Sequence, residues 1–201
     1  MKKTLLSAAL AAVLGAASFP ALAETWEIDA SHSNVGFSVR HMMVSNVRGS
    51  FGTFTARVDG SPADPSTAKI SATIEVASVD TREPKRDEHL RAADFFDAAK
   101  FPRMTFTSTK VEKVSATKAK VTGDLTLRGV TKPVTLDVEY TQPVKNPWGK
   151  TIVGASATGK INRQDFGVSF SKTLETGGLL VGDEVTLQLD LEFVKADAPA
   201  K

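Results

Sequence analysis

The sequence predicts an all-β protein, an antiparallel β-barrel of about eight strands with one short helical insertion. Three observations carry this. Apolar and polar residues alternate with a period of two over most of the chain after Trp26. The alternation fails over one compact stretch, Thr81 to Pro102, which reads TREPKRDEHLRAADFFDAAKFP. The strands so delimited are long, and closing them on themselves removes the exposed edges that a two-layer sandwich would keep.

The first 23 residues stand apart from this pattern. Lys2 and Lys3 precede an apolar run from Leu5 to Ala17, and Ala21-Leu22-Ala23 has the small-x-small form of a signal-peptide cleavage site. The mature chain is expected to begin at Glu24 and to form one domain over 24–201. No other stretch approaches the roughly 18 to 20 apolar residues of a membrane helix, so an exported, soluble protein is expected. Losing Lys2 and Lys3 leaves basic and acidic side chains in balance, which gives no electrostatic case for nucleic acid as a partner. The absence of cysteine excludes thiolate zinc sites, thiol catalysis and disulfide stapling.

Taken in order, Val35, Phe37 and Val39 alternate with Gly36, Ser38 and Arg40 as a strand with one buried face, which His41 and Met43 continue. A second strand is expected from Val44 to Val58, with Gly49 and Gly52 as bulge or bend points. Gly60 to Ser66, GSPADPS, reads as a loop by composition. Ile70, Ile74 and Val76 form the buried side of a third strand. In the interruption, Pro84 suits a first helical turn, and Leu90, Ala93 and Phe96 recur at helical spacing. Asp94 is placed to cap a second short turn through Phe101, and Pro102 ends the segment.

Alternation then returns. Met104, Phe106 and Ser108 lead a strand that turns near Ser115 to Lys118 into Val121 to Leu127, where Leu125 and Leu127 face one way. Gly129 marks the next turn. Val134, Leu136, Val138 and Tyr140 form the apolar side of a half-buried strand. After a turn at Asn146 to Gly149, the strand from Thr151 to Ile161 carries Gly154, Ala155, Ala157 and Gly159, small residues that leave space wherever they face inward. Asn162 to Asp183 lacks alternation for longer than the dozen or so residues usual for a plain connection, as binding loops and lids do. Val185, Leu187, Leu189, Leu191 and Phe193 define the last strand, and Ala196 to Lys201 a frayed tail. A membrane-spanning barrel is disfavoured, because one Tyr and two Trp are too few for two aromatic girdles.

Candidate chemistry is sparse. His32, His41 and His89 are the only imidazoles and lack ligand spacing, so no metal site is expected. Asp29, His32 and Ser33 lie too close along an extended chain to form a catalytic triangle and fit a turn-fastening role better. Arg86, Asp87 and His89 suit either a tie between helix and strands or contact with a polar head group, and catalysis through His89 with Asp87 stands behind both.

Four segments together resemble the YceI-like family. They are Trp26-x-x-Asp29-x-x-His32-Ser33-x-x-x-Phe37-x-x-x-His41; Arg86-Asp87-x-His89-Leu90-x-x-x-Asp94-Phe95-Phe96 with Phe101-Pro102; Gly123-Asp124-Leu125-Thr126-Leu127-x-Gly129-Val130-Thr131-Lys132-Pro133-Val134; and Ile161-Asn162-Arg163-x-Asp165-Phe166-Gly167. The resemblance spans nearly the whole mature chain in order. It implies a periplasmic, lipocalin-like barrel whose apolar interior holds a long-chain amphiphile, a polyisoprenoid or quinone-like lipid or a fatty-chain amide. It further implies a non-catalytic binder without a cofactor, linked to stress responses and in some relatives dimeric.

The expected function is therefore lipid binding, sequestration or transport. The expected wall comprises Phe37, Val39, Phe106, Leu125, Leu127, Val134, Leu136, Leu187 and Leu189, with His41, His89, Phe95, Phe96, Phe166 and Leu180 towards an entrance or head group. Two alternatives accompany it. One is an enzyme acting on a lipid-like substrate through His89 with Asp87 or Arg86, or through His32 with Asp29. The other is a dimerising module that uses the leucines of the 162–183 loop as its contact surface.

Overall fold

The computed structural model describes residues 24–175 and 177–197. The expected leader, 1–23, and the end of the expected tail, 198–201, lie outside the described residues. Twelve strands follow one another along the chain, and every pairing between them is antiparallel. They are β1 (Thr25–Ile28), β2 (Asn34–His41), β3 (Ser45–Phe51), β4 (Phe54–Ser61), β5 (Asp64–Glu75), β6 (Val79–Asp80), β7 (Arg103–Lys113), β8 (Lys118–Leu127), β9 (Val130–Tyr140), β10 (Val144–Lys145), β11 (Thr151–Asn162) and β12 (Val181–Lys195). One α-helix, α1 (Pro84–Arg91), lies between β6 and β7.

Three pairs of these are single long strands broken once. A 3₁₀ turn at Ala30–His32 interrupts β1/β2, Gly52 and Thr53 interrupt β3/β4, and a 3₁₀ turn at Val76–Ser78 interrupts β5/β6. Counted this way, eight strands form an up-and-down barrel: β1/β2, β3/β4, β5/β6, β7, β8, β9, β11 and β12. β12 closes it, pairing along its length with β11 on one side and with β2 and β1 on the other. The barrel class and strand number match the sequence expectation.

Period-two patterning explains the walls. In β8 and β9, Val121, Leu127, Val134 and Leu136 are buried, while Lys120, Thr135 and Asp137 face solvent. Lys118–Glu139 and Lys120–Asp137 pair across these strands on the outer face, at 2.5 and 2.6 Å. Such exposed pairs contribute little stability, but a lipid-facing band would not carry them. Among the described residues, no helix is long and apolar enough to cross a membrane.

The structure corrects several local expectations. The Gly60–Ser66 loop is a tight hairpin, because β4 continues to Ser61 and β5 begins at Asp64, with only Pro62 and Ala63 between. Gly49 is not a bulge. It pairs in register with Phe37, whose ring occupies the space a Cβ would need. Gly52 does sit at the bend, donating its N–H to Ser78 O. Met43 does not continue the inner face: Met42 and Met43 both adopt positive φ, 50° and 62°, in the β2–β3 turn, where Met43 is 57% exposed.

α1 has Pro84 at its first turn, as its fixed φ favours, and ends at Arg91. Asp94 caps no turn, because its carboxylate is engaged by His89. The turn into Phe101 instead starts at Asp97, whose carbonyl accepts the N–H groups of Lys100 and Phe101. The insertion is lashed down from three sides. Arg91 donates to Ala77 O and Val79 O, and Thr81 donates through N–H and Oγ1 to the buried Asp87 carboxylate at 2.9 and 2.5 Å. From the β8–β9 turn, Arg128 reaches Ala93 O, Phe95 O and Gly167 O. Helix and long loop thus cover the same end of the barrel.

Candidate functional site

The inner face of the barrel surrounds a cavity of about 660 Å³. Its wall is built by the apolar phase of the strands. Fourteen of the fifteen residues expected at the site border it: Phe37, Val39, His41, His89, Phe95, Phe96, Phe106, Leu125, Leu127, Val134, Leu136, Leu180, Leu187 and Leu189. Phe166 does not. It is 2% exposed on the 3₁₀ turn Arg163–Phe166, and packs into the core beneath the wall.

Two kinds of wall residue are present. Phe37, Leu127, Val134 and Leu136 are buried in a continuous packed cluster with Phe95. Val39, Phe106, Leu125, Leu187 and Leu189 are only partly buried, although their phase points them inward. The accessible surface on these inward residues faces the void instead of the outer solvent.

The small residues of β11 are divided between the two faces of the strand. Ala155 and Ala157 border the cavity and widen it, whereas Gly154 faces Thr141 outside. Gly159 packs against Leu136, leaving no room for a Cβ. Alternation marks Tyr140 only as the end of a strand's apolar side. Its side chain borders the cavity, and its hydroxyl is buried without a hydrogen-bond partner among the described residues.

The two ends of the cavity differ in chemistry. One, near the β4–β5 hairpin, is bordered by Trp26, Pro62, Ala68 and Tyr140. The other lies under the helix and the long loop, where aromatic rings converge. Phe95 and Phe170 stack at 4.7 Å, and the His89 ring meets both edge-on at 4.8 and 5.3 Å. His89 Nε2 is 2.7 Å from Asp94 Oδ2. Arg86 donates through Nε and Nη2 to the Oγ1 and carbonyl of Thr81, at 2.7 and 2.9 Å.

Arg163 and Lys172, two charged groups with no periodic signal to place them, also border this end. Arg163 is 4% exposed. It donates to Gly182 O, Val168 O, Val181 O and Asp183 Oδ1, clamping the loop to the start of β12. Burial pushes its pKa down and the Asp183 carboxylate opposes that, so the guanidinium stays charged at neutral pH.

The His89–Asp87 pairing of the enzyme alternative does not form. His89 pairs with Asp94 and not with Asp87, whose Oδ1 accepts both bonds from Thr81. At the other candidate triangle, Asp29 Oδ1 accepts from Ser31 N–H and Oγ, while its Oδ2 lies 3.0 Å from His32 Nδ1. Ser33 Oγ instead accepts the Glu192 N–H, so this cluster fastens β1 to β12. Hydrogen bonds from Ser31 and then His32 hold the Asp29 carboxyl down at about 2, and the Asp29 bond raises His32 above 6.5.

Asp29, His32 and Glu192 do bring one ligand atom each within 4.8 Å of one another, a convergence invisible in the spacing of the histidines. Nδ1 of His32 is already committed to Asp29, and His32 is exposed. The dimer alternative loses its exposed leucines, for Leu179 and Leu180 are both half-buried. Leu179 bridges to Thr173, and Leu180 borders the cavity.

An eight-stranded antiparallel barrel closed around an apolar cavity, with a helix over one end, defines a lipocalin-like protein. The chain belongs to the YceI-like family, and residues 26–193 match the YceI-like domain. It is 42% identical over 166 residues to a UPF0312 protein of Staphylococcus aureus (strain N315), covering 82% of this chain and 94% of that one. Among solved structures it is similar to the Campylobacter jejuni YceI protein, with 40% identity, a TM-score of 0.69 and coverage of 84% and 96% of the two chains. The fold alone is shared with a polyisoprenoid binding domain from Saccharophagus degradans, 14% identical with a TM-score of 0.64, covering 88% of this chain and all of that one.

Proposed function

We propose that this protein binds a long-chain amphiphilic lipid, of the polyisoprenoid or quinone-like kind, inside the barrel and sequesters or carries it without chemical conversion. The observation that carries this reading is the cavity itself: about 660 Å³ bordered almost entirely by aliphatic and aromatic side chains. That size lies within the range of small-molecule sites. Each methylene moved from water into such a space contributes about 0.8 kcal/mol, so a long chain is held with few polar contacts. Family membership and the name given to the Saccharophagus degradans domain support a lipid ligand.

The basic start, apolar run and Ala21-Leu22-Ala23 of residues 1–23 support export to the periplasm, where an insoluble chain needs a carrier between membranes. The test is to purify the full-length gene product from its natural host, extract with organic solvent and identify the lipid by mass spectrometry. A reproducible long-chain species in near-stoichiometric amount is expected. Protein that is consistently empty and takes up no chain in vitro overturns the reading.

A further inference from the structure

Of the residues that border the cavity, five carry ionisable nitrogen groups: His41, Arg86, His89, Arg163 and Lys172. No aspartate or glutamate borders it among the described residues. All five lie at the end covered by the helix and the long loop: on α1, at the tip of β2, and in the segment joining β11 to β12. At the opposite end the polar groups are neutral, Ser61 and the Tyr140 hydroxyl among them.

The five are not equivalent. Arg163 is paired with Asp183 and spends three more N–H groups on carbonyls, and His89 is engaged by Asp94. Arg86 spends Nε and Nη2 on Thr81, which leaves Nη1 uncommitted. His41 has no side-chain hydrogen bond among the described residues, and Lys172 forms no ion pair there, its Nζ lying 5.9 Å from the centre of the Phe170 ring. Donor capacity with positive charge therefore remains at one end of an otherwise greasy space.

Building on the lipid-binding reading, we propose that this end is a head-group site for an anion, so that the protein selects long-chain amphiphiles ending in a carboxylate or phosphate monoester. Lys172 and Arg86 supply the charge, and His41 supplies a further ring nitrogen. Hydrogen bonds to charged groups are about twice as strong as neutral ones, and partial enclosure by Phe95, Phe96 and Phe170 reduces screening. The apolar chain then extends towards Trp26 and Tyr140.

The test uses delipidated protein and chain-matched probes, palmitate, hexadecanol and hexadecyltrimethylammonium, with farnesyl monophosphate against farnesol as a second arm. Each is titrated as a competitor of a neutral dye, Nile red. Palmitate, farnesyl monophosphate or both are expected to bind at least about tenfold more tightly than their neutral partners. The preference should shrink at high salt, and the arm with the larger ratio distinguishes carboxylate from phosphate. Lys172→Gln should bring the anion-to-alcohol ratio towards one. Equal binding of anions and alcohols, or tighter binding of the ammonium, overturns the head-group proposal and leaves lipid binding intact. Failure of every probe and of Nile red to bind overturns both.

Discussion

At the scale of single residues, the clearest liability is Tyr140. A buried hydroxyl without a partner costs about 1–3 kcal/mol. Tyr140→Phe is therefore expected to raise the unfolding free energy in urea by about 1 kcal/mol or more. A loss of stability would show that the hydroxyl is hydrogen-bonded in solution. The Asp29–His32 pair makes a different prediction. With Asp29 held at about 2 against an ordinary 3.8, its contribution to stability is present above 3.8 and is lost as pH falls through 2. His32 is raised, so its contribution is complete below 6.5 and fades as pH rises through the elevated value. Imidazole proton shifts followed by NMR should place the His32 midpoint above 6.5, and Asp29→Asn should lower it. An unmoved midpoint contradicts the pairing.

At the scale of elements, Arg163 decides whether the long loop stays on the barrel. Arg163→Met preserves bulk but strands the carbonyls of Val168, Val181 and Gly182. A loss of at least about 2 kcal/mol is expected, with earlier proteolytic cleavage between 167 and 180. Cleavage and stability like those of wild type would remove Arg163 from this role. Gly123 offers a second test, since a Cβ there would strike the Phe106 ring and approach Thr107 O to 2.6 Å. Gly123→Ala should cost about 1–3 kcal/mol by chemical denaturation. An unchanged midpoint would mean that the Phe106 ring and the β7 backbone at Thr107 both give way without cost.

These elements also show what could be read in advance. Strand walls were legible because alternation fixes which side chains face inward, and Phe106, Leu125 and Leu187 followed from phase alone. The caps were not. Phe166 sits on a 3₁₀ turn with no period to give its direction, and Asp94 looked like a cap because sequence does not reveal that His89 lies 2.7 Å away. The Gly60–Ser66 segment has the composition of a loop, but composition fixes turn chemistry and not length, and β4 and β5 extend over all of it except Pro62 and Ala63. Arg163 and Lys172 were hidden for the same reason: charged residues in aperiodic chain carry no signal of burial or of the space they border.

For the whole molecule, the decisive variable is whether the interior is occupied. Ala155→Phe places a ring in the cavity from β11 without touching the outer face. Binding of a sixteen-carbon chain should weaken by about tenfold or more, while the melting temperature holds or rises as the void fills. Unaltered affinity would locate the chain elsewhere.

Closure by β12 also dictates when the molecule can become whole. The fifteen residues of β12 zip between β11 and the opening strands β1 and β2, so the earliest and latest parts of the chain share one seam. Such distant partners make folding slow. A polypeptide threading out of a pore head first would present an unstitched flank until its final strand emerged, with Val35 and Phe37 waiting for Leu187 and Leu189. Completion is thus a single late event, and the lipid space exists only after it.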